Sequence, residues 1–165
     1  MSKYSGQEAD SLNLADSGNP ARAKRRASTG FGVSLVLVLL FVLFFHFNFT
    51  TVIVSGPSML PTLSNGKKVL VSRAYWLVGP IQDGNIIVIR QSDGPNGYII
   101  KRVYKKAGET VDTLNAPTTW SLSNGAYTVP DSQIYVLGDN RSVSEDSRRF
   151  GPLPVSAILG KVVAY

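Results

Sequence analysis

The chain of 165 residues has no cysteine and a single histidine, His46. Without cysteine, and with one histidine, it cannot assemble a zinc site from the usual ligand sets. His46 lies inside an apolar run and cannot serve a site built in water, which excludes a Ser-His-Asp triad. A serine nucleophile in this chain would therefore need another base, and a lysine whose pKa is lowered by burial is the remaining choice.

Aspartate, glutamate, lysine and arginine are absent from residues 31–49, which are almost wholly valine, leucine and phenylalanine. A helix over this run would be about 28 Å long, close to the hydrocarbon thickness of a bilayer. The run therefore predicts a transmembrane helix. His46, near its outer end, is interpreted as a neutral residue at the membrane interface rather than as a functional one.

Large apolar side chains are scarce before that helix, and residues 1–30 are predicted to form a disordered cytoplasmic tail. The tail ends in a basic cluster at residues 22–26. A basic cluster can bind nucleic acid or form a solvated arm. Beside a membrane helix it is expected to stay in the cytoplasm, which places residues 50–165 on the outer face of the cell membrane. We therefore predict no nucleic-acid partner.

A cleaved signal peptide is the competing interpretation of the basic cluster and apolar run. The run is longer than the roughly 7 to 15 residues of a signal-peptide core. Residues 48–54 are bulky or β-branched, so no small-x-small cleavage site follows closely. The sequence therefore favours a retained single-pass anchor.

Beyond the anchor, short β-branched or alternating segments are separated by glycine and proline, a pattern typical of strands and turns. The predicted strands are residues 50–54, 67–72, 85–90, 98–104, 133–137 and 161–165, with one helical turn at 155–159. This pattern predicts a mainly β fold, an antiparallel sheet or partly open barrel. The apolar residues 69–71 and 86–89 are predicted core strands. Residues 75–78, Tyr-Trp-Leu-Val, fit either the core or the membrane interface, where tryptophan and tyrosine are favoured.

A serine lies in a turn soon after the apolar run. Ser58 is flanked by Gly56 and Pro57 on one side and by Pro61 on the other, which excludes a regular helix. One interpretation is a polar turn in which Ser58 hydrogen-bonds its own backbone. The other is an exposed nucleophile.

Lys101 stands in the middle of the predicted strand at residues 98–104. Two interpretations are open: an outward-facing, solvated lysine and an inward-facing one. Burial would disfavour the inward ammonium, and a neutral amine near pH 7 can take a proton from a serine hydroxyl. Periodicity alone leaves both interpretations open.

A third cluster covers residues 138–151, Gly-Asp-Asn-Arg-Ser-Val-Ser-Glu-Asp-Ser-Arg-Arg-Phe-Gly. With Ser-Met-Leu-Pro-Thr at 58–62 and Lys-Arg-Val at 101–103, it resembles the type I signal peptidases, the membrane-anchored Ser/Lys proteases that remove signal peptides. The three motifs occur in that family's order. Together with the membrane segment they span most of residues 31–165.

The resemblance implies roles for nine residues. Ser58 matches the nucleophile, Lys101 the general base and Ser144 the hydroxyl that orients the lysine. The remaining matches are two structural ion pairs and two residues lining small substrate pockets: Arg102 with Asp139, Arg148 with Asp146, and Val54 with Ile100. No metal or cofactor is implied.

The resemblance also concerns the oxyanion donors and the positions that depart from the family's pattern. The backbone N–H of Ser58 is the natural first donor to an oxyanion. Some members place a serine hydroxyl two residues before the nucleophile as a second donor, where this chain, like other members of the family, has Gly56. After residue 103 the family usually continues with Ile-Gly, and this chain has Tyr104 and Lys105. The family's variable insertion is expected to be reduced to residues 104–133, with a hairpin over 110–129.

The expected function is that of a membrane-bound serine endopeptidase acting on exported preproteins after small-x-small sites, in contact with membrane lipid. A self-cleaving Ser/Lys repressor would need a DNA-binding domain where this chain has a membrane helix. A membrane-anchored β domain that binds exported chains without cutting them is the alternative from another class. The sequence leaves open whether the substrates are general secretory proteins or a dedicated set such as pilins.

Overall fold

The computed structural model describes residues 20–91, Gly94 and residues 97–165. The chain divides into two compact units, Met1–Phe44 and Phe45–Tyr165. Most of helix α1, which spans Pro20–Asn48, belongs to the first unit. The second unit contains the strands and every residue for which the sequence predicts a catalytic role.

Helix α1 contains a window, Phe31–Asn48, that is long and apolar enough to cross a membrane, with a mean hydropathy of 2.3. This window agrees within one residue with the predicted segment at 31–49. The helix begins earlier, at Pro20, where a proline suits the first helical turn and alanine, lysine and arginine follow. The structure thus differs from the predicted disordered tail over residues 20–30, while residues 1–19 lie outside the described residues.

The second unit is mainly β, as predicted. Its strands, numbered in chain order, are β1 Phe49–Ile53, β2 Lys68–Ser72, β3 Ile86–Arg90, β4 Tyr98–Lys106, β5 Thr110–Val111, β6 Tyr127–Thr128, β7 Gln133–Leu137, β8 Leu153–Pro154 and β9 Ile158–Ala164. Seven of them form a curled antiparallel half-barrel in the order β1-β2-β9-β3-β4-β7-β8. Leu159 and Val163 of β9 and Tyr104 of β4 are the extra residues of three register shifts, and these shifts help the sheet to curl because a bulge bends its strand.

The predicted core strands are buried. In β3, Ile86 and Val88 join one hydrophobic cluster, whereas Ile87 and Ile89 join another. Because successive strand residues point to opposite faces, the sheet is covered on both sides at β3. A side chain of the neighbouring β4 can therefore be buried on either face of the sheet.

The predicted reduced insertion contains one small strand pair. Strands β5 and β6 are antiparallel, with Val111 opposite Tyr127, within the expected hairpin region 110–129. Val111 and Val129 pack with Tyr135 of β7, which joins the insertion to the main sheet.

Among the described residues, the second unit also contains two short helices and two 3-10 turns, the first of which is Leu122–Asn124. Helix α2 spans Tyr75–Val78 and exposes 76% of Trp76 and 55% of Leu77, which excludes the core interpretation of that segment. Helix α3 spans Ser147–Phe150, and a 3-10 turn at Val155–Ala157 occupies the predicted helical turn. The last strand starts at Ile158 rather than at residue 161.

Candidate active site

Ser58 lies half-buried in the connection between β1 and β2. Met59 and Leu63 beside it are buried at 1% and 0% exposure, and the Leu63 N–H donates to the Met59 carbonyl at 2.8 Å. The turn is therefore anchored by apolar side chains while the serine remains near the surface. Within the described part of the chain, the backbone N–H of Ser58 forms no hydrogen bond, so it is available to a substrate oxygen.

Gly138 allows two distant segments to meet at the serine. A Cβ at this position would lie 2.1 Å from the Ser144 Oγ and 2.7 Å from the Ser58 carbonyl oxygen. Any larger residue would push these groups apart. The Asn140 N–H also donates to the Ser58 carbonyl at 3.0 Å. The sequence motif contained both residues, but only the fold reveals that they hold the turn of Ser58 against the loop of Ser144.

Lys101 is an inward-facing lysine. It lies in β4 opposite Ile87 and is 4% exposed. Its Nζ donates to the Ser144 Oγ at 3.0 Å. Burial lowers the pKa of Lys101, although the nearby carboxylates of Asp146 and Glu145 act in the opposite direction. The Lys101 amine is thus poorly solvated and its hydrogen-bond acceptor is a neutral hydroxyl. Both features favour the neutral form of the lysine.

Ser144 connects the lysine to a buried carboxylate. Its hydroxyl accepts from Lys101 and lies near Asp146, which is 0% exposed. Burial alone would raise the pKa of Asp146, but hydrogen bonds from Arg148 and from the Gly138 N–H, together with the nearby Ser144 hydroxyl, lower it. Asp146 is therefore ionised at neutral pH.

The two predicted ion pairs are both present. Arg148 Nε donates to Asp146 Oδ1 at 2.9 Å, and Arg148 Nη2 donates to Oδ2 at 2.9 Å. Arg102 binds Asp139 in the same two-pronged way, at 2.8 and 2.6 Å. Arg102 also donates to the Gly84 carbonyl at 2.6 Å. It therefore ties the start of the β3 region to the loop that follows β7.

Ser58 and Lys101 line one cavity of about 380 Å³. Ile100 lines it as well. Val54 belongs to the same hydrophobic cluster as Ile100, is 2% exposed and is not among the described residues that line the cavity. The Gly56 N–H donates to Asn65 Oδ1 at 2.9 Å. Gly56 thus uses its own N–H within the turn, and its missing side chain supplies no second oxyanion donor.

Sequence reasoning missed two further residues of the site. Ser147 is fully buried, and its hydroxyl accepts from the Val136 N–H at 3.0 Å, which fastens α3 to β7. Gln91 lines the cavity with a buried Oε1 that has no hydrogen-bond partner among the residues that the structure describes. Ser147 lay within a recognised motif, but Gln91 follows an ordinary strand and carried no signal. In residues 20–91, 94 and 97–165, no group of three or more His, Asp or Glu side chains is placed to hold a metal ion.

Comparisons with known proteins give a consistent set of matches. Residues 28–120 and 113–165 match the sequence model of the family described as signal peptidase, peptidase S26. The chain is 34% identical over 115 residues to mitochondrial ATP-independent inner membrane protease subunit 1a of Arabidopsis thaliana, covering 69% of this chain and 68% of the relative. It is 30% identical over 165 residues to signal peptidase I of Bacillus amyloliquefaciens, covering 83% and 85%. A crystal structure of a signal peptidase I from Enterococcus faecalis matches 51% of this chain and 97% of its own, with 23% identity and a TM-score of 0.40.

Proposed function

Because this chain belongs to the signal peptidase family, peptidase S26, we propose that it is a membrane-bound serine endopeptidase with Ser58 as nucleophile and Lys101 as general base. Its substrates are exported preproteins, cut after a small-x-small site. One observation carries the assignment: the buried Lys101 Nζ, held at 3.0 Å by Ser144, lines the same cavity as Ser58.

Acylation begins when the Ser58 Oγ attacks the scissile carbonyl carbon and its proton passes to the neutral Lys101 Nζ. The carbonyl oxygen becomes an oxyanion that accepts a hydrogen bond from the Ser58 N–H. Lys101, now an ammonium, returns the proton to the leaving amine as the peptide bond breaks. Ser144 accepts a hydrogen bond from the lysine throughout, which keeps Nζ directed into the cavity.

Deacylation uses the same groups with water as the nucleophile. Lys101 takes a proton from the water as it attacks the ester carbon, and then returns that proton to the Ser58 Oγ. Arg102 and Asp139 keep β4 and the loop after β7 in register, and Asp146 with Arg148 supports Ser144. These four side chains act on the reaction only through the residues that they position.

The substrate binds as an extended strand. Strand β4 pairs with β3 from Tyr98 onward, but it pairs with β7 only from Arg102 to Lys106. The other backbone edge of residues 98–101 is therefore open for an added strand. Ile100 contributes to a small apolar wall beside the scissile bond. Val54 supports that wall from the core, since it belongs to the same buried hydrophobic cluster as Ile100.

The catalytic unit works on the outer face of the cell membrane, beside the bilayer. The Arg73 N–H donates at 2.9 Å to the carbonyl of Asn48, the last residue of the apolar helix. Helix α2, with the exposed Trp76, begins two residues later. Arg73 and Arg90 line a shallow cavity of about 310 Å³ that suits the phosphate groups of anionic lipid. The basic residues 22–26 keep the N-terminus in the cytoplasm.

The first test is cleavage of a purified preprotein in liposomes by the full chain and by Ser58→Ala. The wild type is expected to release a mature protein whose N-terminus follows a small-x-small site, and the folded variant is expected to be inactive. Binding of the preprotein without cleavage by the wild type would support a non-catalytic binding domain instead. Cleavage by Ser58→Ala at the wild-type rate would remove Ser58 from its role.

The membrane placement has a separate test. In liposomes with brominated lipid tails, Trp76 fluorescence in the Trp120→Phe chain is expected to be quenched. Trp120 in the Trp76→Phe chain serves as the matched control, because its Nε1 donates to the Gly125 carbonyl in the insertion. Equal quenching of the two tryptophans would contradict this orientation.

A further inference from the structure

A chain of polar side chains runs from the insertion to the loop that carries Ser144. It starts at Asp112, directly after β5. The Asn115 Nδ2 donates to both Asp112 carboxylate oxygens, at 2.9 and 3.0 Å, and Tyr104 OH and the Leu114 N–H donate to the same carboxylate. The backbone carbonyl of Asn115 accepts from Tyr135 OH at 2.6 Å. Asn115 is thus fixed by its backbone and by its amide nitrogen, which leaves its Oδ1 in a set position.

Asn115 uses that oxygen to hold Arg141. The Arg141 Nη1 donates to Asn115 Oδ1 at 2.7 Å, and the guanidinium lies over the Tyr104 ring with its Cζ 5.5 Å from the ring centre. Arg141 belongs to the loop between β7 and α3, in the same stretch as Ser144. The bonds from the Asn115 amide nitrogen to Asp112 stay within one turn. The bond from Arg141 is an additional connection, which joins the insertion to the loop between β7 and α3.

From Arg141 the path continues to the lysine. The Arg141 carbonyl accepts from Arg148 Nη2 at 2.7 Å, which holds the guanidinium that binds Asp146. Asp146 accepts from the Gly138 N–H at 2.9 Å, Gly138 packs closely against Ser144, and Ser144 accepts from Lys101 at 3.0 Å. A second connection, from the Thr118 N–H to the Arg148 carbonyl at 2.8 Å, joins the insertion to α3.

We propose that Asn115 is a positioning residue for Lys101: through Arg141 it holds the loop that places Ser144 against the lysine. This inference rests on the proposed function, because it assigns the insertion a role in that reaction. The reduced insertion then stabilises the position of Lys101, in addition to connecting β4 and β7.

The environment of Lys101 explains why the contact between Asn115 and Arg141 matters. Burial lowers the pKa of Lys101, and the charged groups that act on it are Asp146, Glu145 and Arg148. Arg149 lines the same cavity. All four lie in the loop and α3, so they move with the segment that Arg141 anchors. A loosened loop admits water to Lys101, which moves its pKa back toward the ordinary lysine value.

The experiment is a direct titration of Lys101 by NMR together with a pH profile of kcat/KM, using full-length Asn115→Ala. We expect the Lys101 pKa to rise by about half a unit to one unit, which lowers the neutral amine roughly three- to tenfold at a fixed pH below it. Cleavage at neutral pH falls by the same factor and recovers at higher pH, with KM unchanged. Asn115→Asp keeps an oxygen for Arg141 and is expected to restore part of the wild-type profile.

Trp120→Phe is the matched control, because it removes a hydrogen bond inside the same insertion without touching Arg141. An unchanged Lys101 pKa in Asn115→Ala, whether or not the melting temperature falls, would reduce Asn115 to a structural residue and overturn the inference. The NMR titration does not depend on turnover. A wild type that never cuts would therefore refute the proposed function while the positioning of Lys101 is still measured.

Discussion

Strand β4 carries three lysines, and two of them, Lys101 and Lys105, lie in opposite environments. Lys101 is 4% exposed and donates to a neutral hydroxyl, and burial lowers its pKa. Four residues along, Lys105 has a side chain that is 33% exposed and pairs with Asp83 at 3.2 Å. The hydrogen bond to Asp83 raises the pKa of Lys105. A lysine in a strand thus becomes a candidate base when its partner is neutral and water is excluded, and a surface cation when its partner is a carboxylate.

The register of the sheet separates the two environments. Val103 pairs with Val136, but the next pair is Lys105 with Tyr135, so Tyr104 is the extra residue of a bulge. Such a bulge bends its strand and re-aims the side chains beyond it. Val103 remains buried at 1% exposure, and the strand then leaves the core. The same residue type therefore serves different purposes on one strand.

The largest expected difference is between removal of the two lysines. Lys101→Met should reduce kcat by about a thousandfold or more, because the nucleophile loses its base. Lys105→Met should stay near the wild-type rate, since an exposed ion pair contributes little. The measurement is single-turnover cleavage of a preprotein, with circular dichroism as a check on folding. Comparable losses in both variants would break the comparison.

The next expected effect is in the pH profile of the wild type. Because the neutral form of Lys101 is the base, kcat/KM should rise about tenfold per pH unit below its lowered pKa and level off above it. The profile should be measured with a substrate for which chemistry limits the rate. A rise that began only near the ordinary lysine pKa would mean that Lys101 titrates like a solvated lysine.

Removal of the Ser144 hydroxyl should have a smaller effect. Ser144→Ala leaves Lys101 without the acceptor that orients its Nζ, and we expect kcat to fall roughly ten- to a hundredfold. Ser142→Ala is the matched control in the same loop, since that exposed hydroxyl donates only to Asn140 Oδ1 at 3.0 Å. If both alanine variants retained full activity, orientation by Ser144 would be unnecessary.

The smallest expected effect concerns two surface carboxylates, Glu145 near Lys101 and Glu109 near Lys105. Glu145 raises the pKa of Lys101, so Glu145→Gln should move the rising limb of the pH profile to lower pH by a few tenths of a unit. Glu109 acts on Lys105 instead, and Glu109→Gln should leave that limb in place. A shift in the opposite direction in Glu145→Gln would show that its charge does not act on the base.

More of the fold than of the candidate site could be predicted from the sequence. Strand β7 was predicted with its observed bounds, and the strand carrying Lys101 was predicted from residue 98. The two Arg-Asp pairs were implied by the resemblance, and the structure contains both. Neither the start of α1 at Pro20 nor the role of Gly138 could be read from the pattern. Gly138 is required by a contact between side chains and backbone that are far apart in sequence.

The sequence by itself determined the elements and the reactive groups available. An apolar run of membrane length, β-branched strands separated by glycine and proline, and the lack of a usable histidine are local or compositional properties. Only the tertiary structure decided that Lys101 faces inward on Ser144 and that the insertion reaches Arg141. Both outcomes depend on burial and on long-range hydrogen bonds. Those arise when a curled sheet brings separate loops together, and no local pattern in the chain encodes them.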